Sequence, residues 1–129
     1  ICDGLPFAFT DIEMVFNEEK KAVDWIFRYG NEALATLEKL PLDKMIGSSF
    51  SSLFSNMDSK WLQGYERATL YGETLEIMDY SPEIDTNLKI ICFPTFPGHC
   101  GCILFNADKM RYIKDGNNLV RWIIVSMKK

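Results

Sequence analysis

Three strand-like segments close the body of this chain, and the connections between them are too short for anything but antiparallel pairing. Thr74–Tyr80 alternates apolar and polar residues, Leu88–Phe93 reads as the next strand, and His99–Phe105 as the last. Only residues 81–87 and 94–98 separate them, and Pro82, Pro94, Pro97 and Gly98 in those gaps are turn formers. A parallel partner would need a crossover of about a dozen residues or more.

The first half supplies two more strands and the helices. Phe7–Phe16 has β-favouring residues with partial alternation, Asn17–Lys21 is a charged hairpin turn, and Val23–Tyr29 is a second strand rich in aromatic and β-branched residues. Asn31 is placed to cap a helix from Glu32 to about Leu40, because its side-chain oxygen can accept from the free N–H groups of the first turn. Pro41 stops that helix. Pro41–Gly47 reads as one short helical turn closed by Gly47, and Ser48–Phe54 as another. The longest helix runs from about Ser59 to Tyr71, buries Trp61, Leu62, Tyr65, Ala68 and Thr69 at spacings of three and four, and ends at Gly72. Helices of this kind must cover one face of the sheet to bury their stripes. The expected architecture is α+β: a five-stranded antiparallel sheet with short helices covering one face.

Composition narrows the function. The 129 residues are 47% hydrophobic and 25% charged, which suits one soluble domain with a core that needs no staples. No apolar run is long enough for a membrane helix, no signal peptide is legible, and the start at Ile1 reads as a piece cut from a longer protein. The net charge is −4. Residues 108–129 carry Lys109, Arg111, Lys114, Arg121, Lys128 and Lys129 against Asp108 and Asp115, so this tail is +4 and residues 1–107 are −8. An acidic body argues against nucleic-acid binding. Cys2, Cys92, Cys100 and Cys102 lack zinc-knuckle spacing, and with His99 as the single histidine no multi-histidine metal site can form. The thiols read as small buried hydrophobes of a reducing cytoplasm, with a redox pair at Cys100 and Cys102 as the rival reading. On a strand those two share a face.

No G-x-S-x-G, H-E-x-x-H, P-loop or Gly-rich dinucleotide turn occurs. The neighbouring acids Glu18 and Glu19 lie in a turn. A thiol–imidazole pair of Cys100 and His99 fails because adjacent strand residues point to opposite faces. The sequence therefore predicts no enzyme in this chain.

The element order and several local segments resemble the PAS family. Ile26–Ala33 resembles its strand-to-helix junction, and Leu40–Phe50 its "eeliGksf" segment with Leu53-Phe54 following. Tyr71-Gly72-Glu73 resembles the end of its long helix, and Tyr80–Glu83 its next hairpin. The resemblance covers about 5–108, giving a PAS domain over 1–108 and a tail over 109–129. It is nearest to PAS domains of bacterial signalling proteins that precede diguanylate cyclase or histidine kinase modules. One departure stands out: where the family carries Asp-Ile-Thr or Asp-Val-Thr, this chain reads Asn106-Ala107-Asp108-Lys109.

The resemblance implies a sensory module that binds a small metabolite or a partner and relays a signal to an output domain in the same parent chain. It places the ligand between the inner sheet face and the short helices, against Phe50, Phe54, Trp61 and Tyr65, with Tyr80, Phe93 and Cys102 facing it from the strands. The competing reading is that these rings simply fill the core. No cofactor is named by the sequence. Haem ligands of the family lie on the long helix, and 59–71 holds no histidine. Flavin photosensors carry a reactive Cys in an Asn-Cys-Arg-Phe-Leu stretch, and no Cys lies between 3 and 91. In the tail, Leu119, Trp122, Ile123 and Met127 would share one side of a helix used for homodimerisation or output; an added strand or an artefact of how the chain was cut are the alternatives. A ligand-free dimerisation module is the second functional reading.

Overall fold

The computed structural model describes residues 7–54, 59–81 and 84–107. Strands β1 (Ala8–Phe16) and β2 (Ala22–Gly30) form a hairpin. Helices α1 (Glu32–Glu38), α2 (Leu42–Met45), α3 (Phe50–Leu53) and α4 (Ser59–Tyr71) follow, then strands β3 (Leu75–Ser81), β4 (Thr86–Pro94) and β5 (His99–Asn106). One five-stranded sheet results, in the order β2-β1-β5-β4-β3, with every pairing antiparallel. The strand pattern and short connections predicted this arrangement. The sequence did not show that β5 returns to lie beside β1, which joins the N-terminal hairpin to the three C-terminal strands in the middle of the sheet.

Local chemistry sets the helix boundaries. Asn31 caps α1, its side-chain oxygen accepting from the Leu34 amide at 3.1 Å. Helix α1 stops at Glu38, earlier than the expected Leu40. Lys39 takes a left-handed conformation at φ 60 and its amide donates to the Ala35 carbonyl. The turn must leave the helix before Leu40 because Pro41 disfavours a helical residue ahead of it. Gly47 and Gly72 close α2 and α4 with φ of 90° and 68°, a region where a side chain is strained. Helix α4 sits on the sheet through Gly64, where an added Cβ would collide with the tip of Ile77.

The helices pack on the face formed by Ala8, Ile12 and Met14 of β1, Trp25 and Phe27 of β2, Leu88, Ile90 and Cys92 of β4, and Cys100, Cys102 and Leu104 of β5. The opposite face of the central strands is also apolar and buried: Phe9, Ile91, Phe93, Ile103 and Phe105. Phe9 stacks on Phe93 at 6.4 Å, and Phe7 meets Phe105 at 5.5 Å. Strands buried on both faces read as unbroken apolar runs, which is how Ile90–Phe93 and Cys102–Phe105 appear in the sequence. The outer face of edge strand β3 is different, with Glu76, Met78 and Tyr80 exposed.

Candidate functional site

A cavity of about 20 Å³ lies between the helices and the inner sheet face, room for roughly one water molecule. Trp25 and Phe27 from β2, Phe50 from α3, and Trp61 and Tyr65 from α4 supply rings to its wall. Leu34 and Glu38 of α1 close one side, and Thr10, Ile12, Leu88, Ile90, Cys102 and Leu104 form the sheet floor. The rings are mutually packed: Trp25 sits 4.4 Å from Phe50 and 5.0 Å, edge-on, from Tyr65. Such contacts are worth about 0.5–1.5 kcal/mol each beyond the area they bury.

Polar atoms interrupt this wall. Glu38 is only 6% exposed, although it is the last residue of the short helix α1. The Trp61 indole N–H is buried with no hydrogen-bond partner among the described residues. Thr10 is already engaged, its hydroxyl donating to the Tyr29 carbonyl at 2.7 Å. Burial pushes the Tyr65 phenol well above its ordinary range, aided by the thiols beside it. It therefore stays protonated and able to donate.

The structure brings together four of the seven residues expected at this site: Phe50, Trp61, Tyr65 and Cys102. Phe54 stands behind them, its ring tilted against that of Phe50 at 4.8 Å. Two expectations are corrected. Tyr80 points to the outer side of edge strand β3, is 44% exposed, and donates to Asp85 at 2.5 Å. Phe93 is fully buried, but in the outer layer against Phe9. Strand alternation is the reason: Cys92 and Cys102 are opposite and face inward, so Phe93 must face out. Trp25, Phe27 and Glu38 were missed. The period-two pattern Trp25, Phe27 against Ile26, Arg28 was a legible signal for the two rings, whereas nothing in the sequence distinguishes Glu38 from a solvated helix acid. The expected dimerisation residues Leu119, Trp122, Ile123 and Met127 lie outside the described residues, as does Cys2.

The three described thiols are free, buried, and on the inner face. Cys100 and Cys102 sulfurs are 4.0 Å apart, sharing a face as expected. The Cys92 thiol is raised chiefly by its contact with Cys100 and then by burial; Cys100 and Cys102 are raised first by burial. Reactive thiols carry the opposite shift; here burial disfavours the thiolate. Among the described residues no group of His, Cys, Asp or Glu is arranged to hold a metal ion. A pH dependence follows. In the unfolded chain these thiols ionise from about their ordinary value of 9.0, while the fold keeps them protonated. Above that pH the unfolded state binds fewer protons, so stability is complete below about pH 9 and falls as pH rises. Urea titrations between about pH 8 and 10.5 should show this decline, and Cys100→Ala should flatten it. An equal slope in that variant would mean that Cys100 ionises in the folded protein.

A second polar group lies on the outer face. Asp11 of β1 is buried, accepting from Thr95 Oγ1 at 2.5 Å and facing His99 Nδ1 at 2.7 Å. This fastens the β4–β5 hairpin to β1 and turns His99 away from Cys100, so the two form no catalytic pair.

Comparison with known protein families returns no match. A search of curated proteins likewise returns no match. Among solved structures, the Rhodobacter sphaeroides LOV protein, of the PAS superfamily, matches 87% of this chain with a TM-score of 0.57 at 13% sequence identity. This chain spans 66% of that protein's length. The fold is PAS-like: α+β, a five-stranded antiparallel sheet with a few short helices. No described helix is long and apolar enough to cross a membrane.

Proposed function

We propose that residues 1–108 are a sensory or regulatory PAS module that takes a small molecule between its helices and the inner sheet face and relays its presence to an output domain of the same parent chain. The observation that supports this most is the Trp61 indole N–H, buried with no hydrogen-bond partner among the described residues, in the wall of an aromatic cavity that Glu38 also lines. A core built only for stability avoids such groups, because burying them costs free energy that packing does not return. A ligand would act by binding one state of the module better than another. The domain is non-catalytic in this reading, and its free thiols suit the cytoplasm. The cofactor is open. Pockets for drug-sized ligands measure about 300–1,000 Å³, so haem or flavin would require the rings around the present 20 Å³ space to move.

Thermal-shift measurements with a metabolite panel test the reading. A ligand at ten times its Kd should raise Tm by about 5 °C, and Trp61→Phe or Glu38→Gln should remove the rise. A panel without any saturable shift would count against it. The small cavity favours a second reading, a ligand-free interaction and homodimerisation module using residues 109–129. Light scattering should then show a concentration-dependent dimer that is lost when 109–129 are deleted, with melting indifferent to the panel.

A further inference from the structure

Helix α3 is four residues long and has no side-chain cap of its own, since Ser49 at its N-cap position makes no such bond. A helix this short has no independent stability. Its N-terminal side is pinned to β2 by backbone: Gly47 N–H donates to the Phe27 carbonyl at 2.6 Å, Phe27 N–H donates to the Ser48 carbonyl at 3.0 Å, and Ser49 bridges to Ile26. Besides the packing of Phe50, a polar side chain of β2 holds the helix. Asp24 of β2 accepts from the Ser51 hydroxyl at 2.5 Å and from the Ser51 amide at 3.3 Å. The carboxylate therefore ties the first turn of α3 to β2 by hydrogen bonds from another element. These bonds lie at the surface, open to competition from water. Phe50, beside Ser51, is the ring that α3 contributes to the cavity wall, and it rests on Trp25 at 4.4 Å.

We propose that α3 is a gate over the cavity, latched shut by Asp24 and pivoting at Ser48–Ser49. When the latch breaks, Phe50 leaves Trp25, and the vacated place suits a flat aromatic guest that stacks on the same indole. This rests on the reading of the cavity as a binding site. It adds how the site opens and what shape of guest it admits.

Hydrogen exchange on the full chain tests the gate. The Phe54 amide, bonded to the Phe50 carbonyl at 2.9 Å, reports α3, and the amides of β5 report the whole domain. In Asp24→Ala the Phe54 amide should exchange at least tenfold faster relative to β5 amides than in the wild type, and Asp24→Asn should restore part of the protection. Equal acceleration of both sets, or of neither, overturns the latch. Indole serves as the probe for the vacated place. Its association should be several-fold faster with Asp24→Ala than with the wild type, and equal rates overturn the gate as the entry route. Failure of the latch and failure of the site are distinguishable. Local opening in Asp24→Ala with no metabolite shifting the wild-type melting keeps the latch and removes the binding reading. A saturable metabolite shift with no local opening keeps the site and removes the latch.

Discussion

Phe93→Ala is expected to destabilise the domain by about 4 kcal/mol and to leave the cavity intact. Emptying a fully buried aromatic position costs both the lost transfer free energy and the residual void, together about 3–5 kcal/mol. The void here would collapse poorly. Phe93 lies over Gly101, where even a Cβ would meet its ring at 2.7 Å, and it stacks on Phe9. The outer layer is thus fitted to this one ring. Urea unfolding gives the magnitude. Indole resonances of Trp25 and Trp61, both in the cavity wall, test the location, since they should stay in place in the folded variant. A large shift of either would put Phe93 in communication with the inner face and undo its assignment to the outer one.

Asn31→Ala should cost about 3 kcal/mol, well beyond an ordinary capping residue at about 1 kcal/mol. The side-chain oxygen accepts from the Leu34 amide, as a cap does, but also from the Phe9 amide at 3.0 Å. The side-chain nitrogen donates to the Phe7 carbonyl at 3.0 Å. Alanine would strip these partners from backbone groups at a fully buried site, where each unsatisfied group costs about 1–3 kcal/mol. Asn31→Asp separates the two roles: it keeps the acceptor for Leu34 and Phe9 and loses the donor to Phe7. Denaturation of both variants checks this. A loss near 1 kcal/mol in Asn31→Ala would mean that water replaces the bonds to β1.

Asn31 illustrates how far sequence reasoning reaches. Its position between an aromatic strand and an apolar stripe identified it as a helix cap, because capping depends on neighbours three residues away. Its bonds to Phe7 and Phe9 cross more than twenty residues of chain, and nothing local announces them. The candidate site divides the same way. Trp61 and Tyr65 were legible because helical spacing places both on one stripe. Tyr80 and Phe93 were misplaced because an aromatic in a strand says nothing about which face is the inner one until its register is fixed. Glu38 was invisible, since a charged residue near a helix end is ordinarily solvated.

Local and near-neighbour chemistry determined the strands, the caps, the glycine stops and the antiparallel sense, all from the sequence alone. Backbone sterics and short connections allow few alternatives over such distances. Only the tertiary structure decided that β5 lies beside β1, which face of each strand meets the helices, and that Glu38 and Trp61 share a cavity hardly larger than a water molecule. Those outcomes depend on pairing register and packing between segments far apart in the chain, where a shift of one residue would exchange the two faces of the sheet.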